Sequence, residues 1–310
     1  MQIKFPNNKQ FAFSIFDDTD GATVENVKPI YDLLAKLKIY TTKSIWVLPT
    51  NKPKTCVNYG QTLSNPVYRD FILELRNKGF EIGFHGPRDG HSKRSEIIAA
   101  TEEFKKIISY YPRTYVNHLD NKENIYWGAD RLTSPLLKIL YKIATIRRKQ
   151  IFTGNLPFSE NFWGDICKDK IKYVRNFVFP GINTLSYNPS MPYHDPKKSY
   201  VNFWFSSSDG HDVNTFNKLL VRKNIDKLEK ENGVCIVYTH FANGFIKNNE
   251  VNQETKRLLV YLSEKNGWFV PISTLLDFLK NQRKEKNISK RELKKMDYKW
   301  FFFKTIHGAN

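Results

Sequence analysis

The chain has 310 residues, 40% of them hydrophobic and 15% aromatic, enough for one large α/β domain or two small ones with a full core. Its formal charge of +18 points toward anionic ligands, an anionic membrane surface or nucleic acid, or reflects free use of lysine alone. No zinc finger, aromatic RNA-reading pattern or base-reading helix face accompanies that charge, so nucleic acid is not expected as a partner.

No apolar run approaches the ~18 residues that a membrane-spanning helix needs. The opening MQIKFPNNKQ lacks the apolar region of a secretion signal, which predicts a cytoplasmic protein, peripheral at most to the inner face of a membrane. Cys56, Cys167 and Cys235 are widely spaced and form no CxxC pair, so neither a disulfide framework nor a zinc knuckle is expected.

In chain order, FAFSIFDDTD (11–20) reads as an apolar strand that runs into Asp17, Asp18 and Asp20. Adjacent carboxylates repel, so a fold that gathers them at a strand end needs a compensating cation or a proton to move. Residues 21–40 carry Val24, Val27, Ile30, Tyr31, Leu34 and Leu37 at helical spacing. TKSIWVLP is a second strand, 51–65 a loop, and NPVYRDFILELRNKG a helix stopped at Gly79.

FEIGF is a short buried strand that delivers His85, and the loop HGPRDGHSKR contains His91. A helix with Ser95 as its N-cap follows, then the strand RTYVN, which ends at His118, a long loop, and the helix SPLLKILYKIA. From about 150 to 210 the pattern loosens around two strands near KYVRNFVF and SYVNFWFSS, which predicts a substrate-binding insertion. DVNTFNKLLVRKNIDKLEKENG reads as one helix, GVCIVYTH as a strand ending in His240, and ETKRLLVYLSEKNG, WFVPI and STLLDFLKNQRKEK as helix, strand and helix, the last with Ser273 as a possible N-cap.

The alternation of strand and helix, with strands apolar nearly throughout, predicts a parallel sheet or barrel over 1–280. Residues 281–310 form a basic amphipathic helix with Ile288, Leu293, Met296, Trp300 and Phe303 on one face. It either docks on the barrel or rests on an anionic membrane.

The chemistry follows from what stands at the strand ends. One carboxylate and two imidazoles serve a divalent ion such as Zn²⁺, and a second carboxylate beside them can take a proton from water. Asp17 and Asp18 are adjacent, so one can face a metal while the other faces the water. His85 and His91 can fold onto one ion across five residues, and His118 can complete the set in place of His91 or bind substrate. His240 can protonate a leaving group, and Asp209 can orient such an imidazole or cap a helix. His194, His211 and His307 carry no catalytic expectation.

FSIFDD near the start, EIGFH with a second histidine soon after, and IVYTH in the C-terminal half together resemble the polysaccharide deacetylases of carbohydrate esterase family 4, with a NodB-type catalytic domain. The resemblance implies a distorted (β/α) barrel and a divalent metal that serves removal of acyl groups, usually N-acetyl, from sugars. It also implies Asp17 as general base, Asp18, His85 and His91 as metal ligands, and His240 as general acid.

Two features depart from that family's pattern. Five residues separate the histidines instead of three, and no Arg-x-Pro segment follows; PRTYVNHLDNKENIYWG stands there, which makes His118 a substitute ligand. NIYWGADR, FWGDICKDKIKYVRNFVF, MPYHDP and YTHFANGF resemble a divergent branch associated with bacterial surface-polysaccharide (O-antigen or capsule) biosynthesis, the WbmS-like group.

The expectation is therefore a metal-dependent carbohydrate deacetylase acting on a nucleotide- or lipid-linked sugar. The rivals are a metal-independent glycoside-processing barrel, with carboxylates from the Asp17/Asp18 pair and the Asp209 region, and a non-catalytic carbohydrate- or nucleic-acid-binding protein on the same scaffold.

Overall fold

The computed structural model describes residues 3–52, 60–148, 150–282 and 287–307; Cys56 lies outside them. In chain order the elements are β1 (Phe11–Asp17), α1 (Val24–Lys36), β2 (Thr42–Ile45), α2 (Pro66–Asn77), β3 (Glu81–Phe84), α3 (Arg94–Ile108), β4 (Thr114–Tyr115), α4 (Pro135–Thr145), α5 (Gly164–Lys170), β5 (Tyr173–Phe179) and α6 (Thr184–Tyr187). Then come β6 (Phe203–Asp209), α7 (Val213–Leu219), α8 (Arg222–Lys230), β7 (Val234–Thr239), the hairpin β8 (Ile246–Lys247) and β9 (Glu250–Val251), α9 (Gln253–Ser263), β10 (Gly267–Phe269), α10 (Ile272–Asn281) and α11 (Lys290–His307).

Strands β1 to β7 pair in sequence order, and β7 returns to β1, closing a parallel barrel. One edge of β1 is shared: Phe11–Phe13 pair with β10 and Phe16–Asp17 with β2, while β7 runs along the other edge from Ala12 to Asp17. That extra strand distorts the ring.

Alternation along each strand sorts the core into two layers. Ala12, Phe16, Val116, Phe205 and Ile236 point into the barrel, whose N-terminal end is stoppered by Ile272, Leu275, Leu276 and Leu279 of α10. Phe11, Phe13 and Ile15 point outward into the larger layer that also holds Ile30, Tyr31 and Leu34 of α1, with Phe11 and Phe13 edge-on to Phe269 of β10. The stopper is fixed by polar contacts at the strand starts: Ile272 N donates to Thr42 Oγ1 at 3.0 Å and Ser273 N to Glu81 at 2.9 Å.

Local sequence explains most element ends. Thr23 and Asn26 form a reciprocal capping box at the start of α1. Helix α3 begins earlier than expected: Lys93, not Ser95, is its N-cap, because Glu96 reaches back to accept from Lys93 N at 2.8 Å. The helix expected over 212–233 is two helices, α7 and α8. Phe216, Leu219 and Leu220 would be continued on one straight helical face by Lys223 or Asn224 and Lys227, whereas the apolar residues are Ile225 and Leu228. The break at Leu220–Val221 re-phases the stripe so that Phe216, Leu219, Leu220, Ile225 and Leu228 are all buried.

Both strands expected within 150–210 are barrel staves, β5 and β6. Helix α11 is docked. Ile288, Leu293, Met296 and Trp300 are buried, the Trp300 ring lying 5.4 Å from Phe177 of β5 and 5.9 Å from Tyr141 of α4. Burying such side chains contributes roughly 1.5–3 kcal/mol each. Asp297 fixes the pose by accepting from Thr133 N at 2.6 Å and Ser134 N at 2.8 Å, just ahead of α4. Among the described residues, no helix is long and apolar enough to cross a membrane.

Candidate active site

The C-terminal ends of the strands open on a cleft of about 510 Å³, walled on one side by Trp300, Phe303 and Lys304 of α11. Such a position is where (β/α) barrels place their chemistry.

The alternation of β1 separates the acids. Asp17 continues the outward face of Phe11, Phe13 and Ile15 and is fully buried outside the barrel wall. Its carboxylate lies 2.9 Å from Lys43 Nζ and accepts from Tyr31 OH at 2.8 Å and Phe241 N at 2.8 Å. Burial works against the Lys43 ammonium, but the charge and hydrogen bond of Asp17, together with Tyr68 and Asp18, outweigh it and raise the lysine's pKa. Asp17 does not line the cleft; the cation that its position demands is Lys43.

Asp18 takes the inward parity. Arg175 of β5 forks it, with Nη1 3.0 Å from Oδ1 and Nη2 2.6 Å from Oδ2, while the guanidinium lies over the Tyr238 ring at 4.3 Å. A bidentate pair fixes the orientation of a carboxylate as well as its charge. Two residues on, in a turn made possible by Gly21 at φ +67°, Asp20 has the same parity and lies at the centre of the cluster.

Asp20 Oδ2 is 3.0 Å from His85 Nε2 and 3.4 Å from His240 Nε2, and Oδ1 is 2.8 Å from His118 Nε2. Burial alone would raise the Asp20 pKa; the neighbouring His118 and His85 charges hold it well below the usual carboxylate range. Burial disfavours the imidazolium forms of His118 and His240, yet both are pushed up to about 9, His118 chiefly by the Asp20 charge and His240 by its hydrogen bond to Asp20.

Donor atoms of Asp20, His85 and His118 all lie within 4.8 Å of one another. Their fit to a cation is visible at His85, which is 1% exposed: its Nε2 faces Asp20 but makes no hydrogen bond of proper geometry, and its Nδ1 has no partner among the described residues. A carboxylate and two imidazoles converging in this way form a donor set for a divalent ion with open positions. His118 is positioned from behind by Asn121 Oδ1, 3.1 Å from its Nδ1, and Asn121 in turn donates to Glu123.

His91 does not join them. It is exposed in its loop, where Lys122 N donates to its Nδ1 at 3.4 Å. The side of the loop that enters the site carries Asp89, which pairs with Lys52 at 2.5 Å.

His240 Nδ1 donates to the His211 carbonyl at 2.8 Å, which leaves Nε2 toward Asp20 and the cleft. Asp209 does not orient His240. It accepts from His211 Nδ1 at 2.9 Å, and the bond pushes the His211 pKa up. Helix capping falls instead to Asp212, which accepts from Thr215 N at 2.7 Å.

Asp20 among the donors, Arg175 as the clamp on Asp18, and His211 are not among the residues expected from the sequence. For Asp20 a signal existed: in D-D-x-D the first acid has one parity and the second and fourth positions the other. For Arg175 there was none, since its partner lies on another strand, and the His211 carbonyl gains its role from His240 in another loop.

No protein-family model matches the sequence, and no curated protein matches it. Solved structures do. An inferred polysaccharide deacetylase from Mycobacterium smegmatis superposes with a TM-score of 0.54 at 10% identity, over 93% of this chain and 97% of that one. The peptidoglycan deacetylase PdaC of Bacillus subtilis aligns over 90% of this chain and 95% of its own at 12% identity, TM-score 0.41. An inferred polysaccharide deacetylase involved in O-antigen biosynthesis in Bordetella bronchiseptica aligns over 97% and 95% at 12% identity, TM-score 0.38. The chain is thus built on the distorted (β/α) barrel of the NodB-type polysaccharide deacetylases.

Proposed function

We propose that the protein is a metal-dependent hydrolase that removes an acyl group, an N-acetyl in the first instance, from a sugar used in bacterial surface-polysaccharide biosynthesis. The observation that carries this reading is the convergence of Asp20, His85 and His118 donors beside a clamped carboxylate, Asp18, and an imidazole, His240, in one cleft on a deacetylase fold.

Asp20, His85 and His118 hold the ion, in the proposal a Zn²⁺. When bound, such an ion polarises an acyl carbonyl and makes water a better nucleophile near neutral pH. Asp18 is the general base: the Arg175 fork aims its carboxylate into the cleft, where it takes the proton of the attacking water. His240, its Nδ1–H fixed on the His211 carbonyl, presents Nε2 to protonate the departing amine. Asp209 holds the His211 ring, and through that loop the acceptor of His240. The general-base and ligand roles therefore move by one acid relative to the sequence expectation, from Asp17 and Asp18 to Asp18 and Asp20.

The direct test is acetate release from N-acetylated sugars by wild type, by protein stripped with a chelator and reloaded with zinc, and by Asp18→Asn. Release that is lost on stripping, restored by zinc and absent in Asp18→Asn is expected. Release indifferent to the chelator refutes the metal and leaves a metal-independent glycoside-processing or sugar-binding barrel. In this reading a nucleotide or lipid linkage gives the substrate its negative charge. Helix α11 spends most of its apolar face on the barrel rather than on a membrane.

A further inference from the structure

Four cationic side chains line the cleft, Lys52, Arg131, Arg175 and Lys304. Arg175 is committed to Asp18 and Lys52 to Asp89. Arg131 is different. It is 6% exposed, and among the described residues no carboxylate lies within ion-pairing distance of it. Nor do its Nε and Nη2 have a hydrogen-bond partner among the described residues.

Its neighbours are aromatic. The guanidinium carbon stands 3.5 Å from the centre of the Trp127 ring and 4.8 Å from that of Trp300. Burial lowers its pKa to about 10, with Arg175 adding repulsion, so the charge is strained but retained at neutral pH. The backbone is anchored separately: Lys198 Nζ donates to the Arg131 carbonyl at 2.8 Å.

A buried, unpaired guanidinium costs folding free energy unless something satisfies it. Ring contacts address the faces of the guanidinium plane, where a cation is attracted to the π-system. They cannot accept the N–H groups at its edge, and a planar guanidinium offers those as a fork that fits an oxyanion. Trp300 comes from α11 and Trp127 from the loop ahead of α4, so the subsite forms only once the C-terminal helix is docked.

We propose that Arg131, framed by Trp127 and Trp300, is an anion-recognising subsite, and that the substrate carries an oxyanion, a phosphate or a sugar carboxylate, besides the group that is hydrolysed. This rests on the deacylase reading for the identity of the second group but not for the existence of the subsite.

The test is a binding titration that needs no turnover. Intrinsic tryptophan fluorescence of the full chain is followed against inorganic phosphate, D-glucuronate and, as neutral control, glucose. Wild type, Arg131→Lys and Arg131→Met are compared, with circular dichroism to confirm folding. Saturable binding of phosphate or glucuronate is expected, weakened at least about tenfold in Arg131→Met, the scale of a lost charge-assisted hydrogen bond, and partly kept in Arg131→Lys.

Preference for phosphate identifies a phosphorylated or nucleotide-linked sugar; preference for glucuronate identifies a uronic acid. Identical isotherms in wild type and Arg131→Met, or no saturation in wild type, overturn the proposal. If Arg131→Met does not fold, the wild-type and Arg131→Lys isotherms decide: saturation by an anion but not by glucose, changed in affinity by the lysine, supports the subsite, and any other pattern overturns it. Acetate release is measured separately. Anion binding without any release defeats the deacylase reading alone, and release with an unaltered anion isotherm in Arg131→Met defeats the subsite alone.

Discussion

Asp17 and Asp18, neighbours in the chain, lie on opposite sides of the barrel wall: Asp17 is paired with Lys43 beneath α1, and Asp18 is held by Arg175 in the cleft. One carboxylate belongs to the scaffold and the other to the site.

The two asparagine substitutions should therefore fail differently. Asp17→Asn leaves the Lys43 ammonium buried without its counter-ion, and loss of about 3–5 kcal/mol is expected in denaturant unfolding. Asp18→Asn also leaves a buried cation, Arg175, without its counter-ion and should cost stability too, but it keeps the Asp20, His85 and His118 donors. The folded protein should therefore bind metal while acetate release falls about 10²–10⁴-fold, the usual weight of a general base. A stable, inactive Asp17→Asn beside an active Asp18→Asn would reverse the assignment.

Metal content should follow geometry rather than loop proximity. Purified Asp20→Ala, His85→Ala and His118→Ala should each lose the near-stoichiometric metal expected of wild type, while His91→Ala keeps it. Elemental analysis of the four proteins side by side decides. Retention by His118→Ala with loss by His91→Ala would mean that the loop rearranges around the ion.

Glu123 supplies a pH dependence of stability. Burial raises its pKa from 4.5 to about 7, against the hydrogen bonds that it accepts from its own and the Ser92 backbone N–H. A raised acid favours the folded state below its unfolded value, and that stability is lost as pH rises through about 7. The melting temperature should fall between about pH 5 and about pH 8 by the equivalent of on the order of 3 kcal/mol, and Glu123→Gln should flatten the slope. An equal slope in both proteins would exclude Glu123 as its source.

Asp297 ties α11 to the start of α4 through two backbone N–H groups. Asp297→Ala should cost about 1–2 kcal/mol, as a lost helix cap does, and should speed proteolysis within 287–307 more than in the barrel. Unchanged cleavage of that segment would show that apolar burial alone holds the helix.

The alternation of strands and helices, a parallel sheet or barrel as its outcome and the gathering of acids and histidines at strand ends were legible in the sequence, because each is written in local periodicity; the closure of the sheet into a barrel was implied by the family resemblance alone. Legible too, in principle, was the division of the acids, since Asp18 and Asp20 share a parity that Asp17 lacks. The tertiary structure decided what periodicity cannot encode. It placed His118, and not His91, beside Asp20 and His85, because the end of β4 abuts the cluster while the loop carries His91 outward. It gave Asp17 its cation from β2, Asp18 its clamp from β5 and His240 its acceptor in the His211 carbonyl. It also brought Trp300 of α11 against Arg131. Each of these pairings depends on strand neighbours and helix docking distant in the chain, and the energy that selects them arises only when the barrel closes and the groups leave water together.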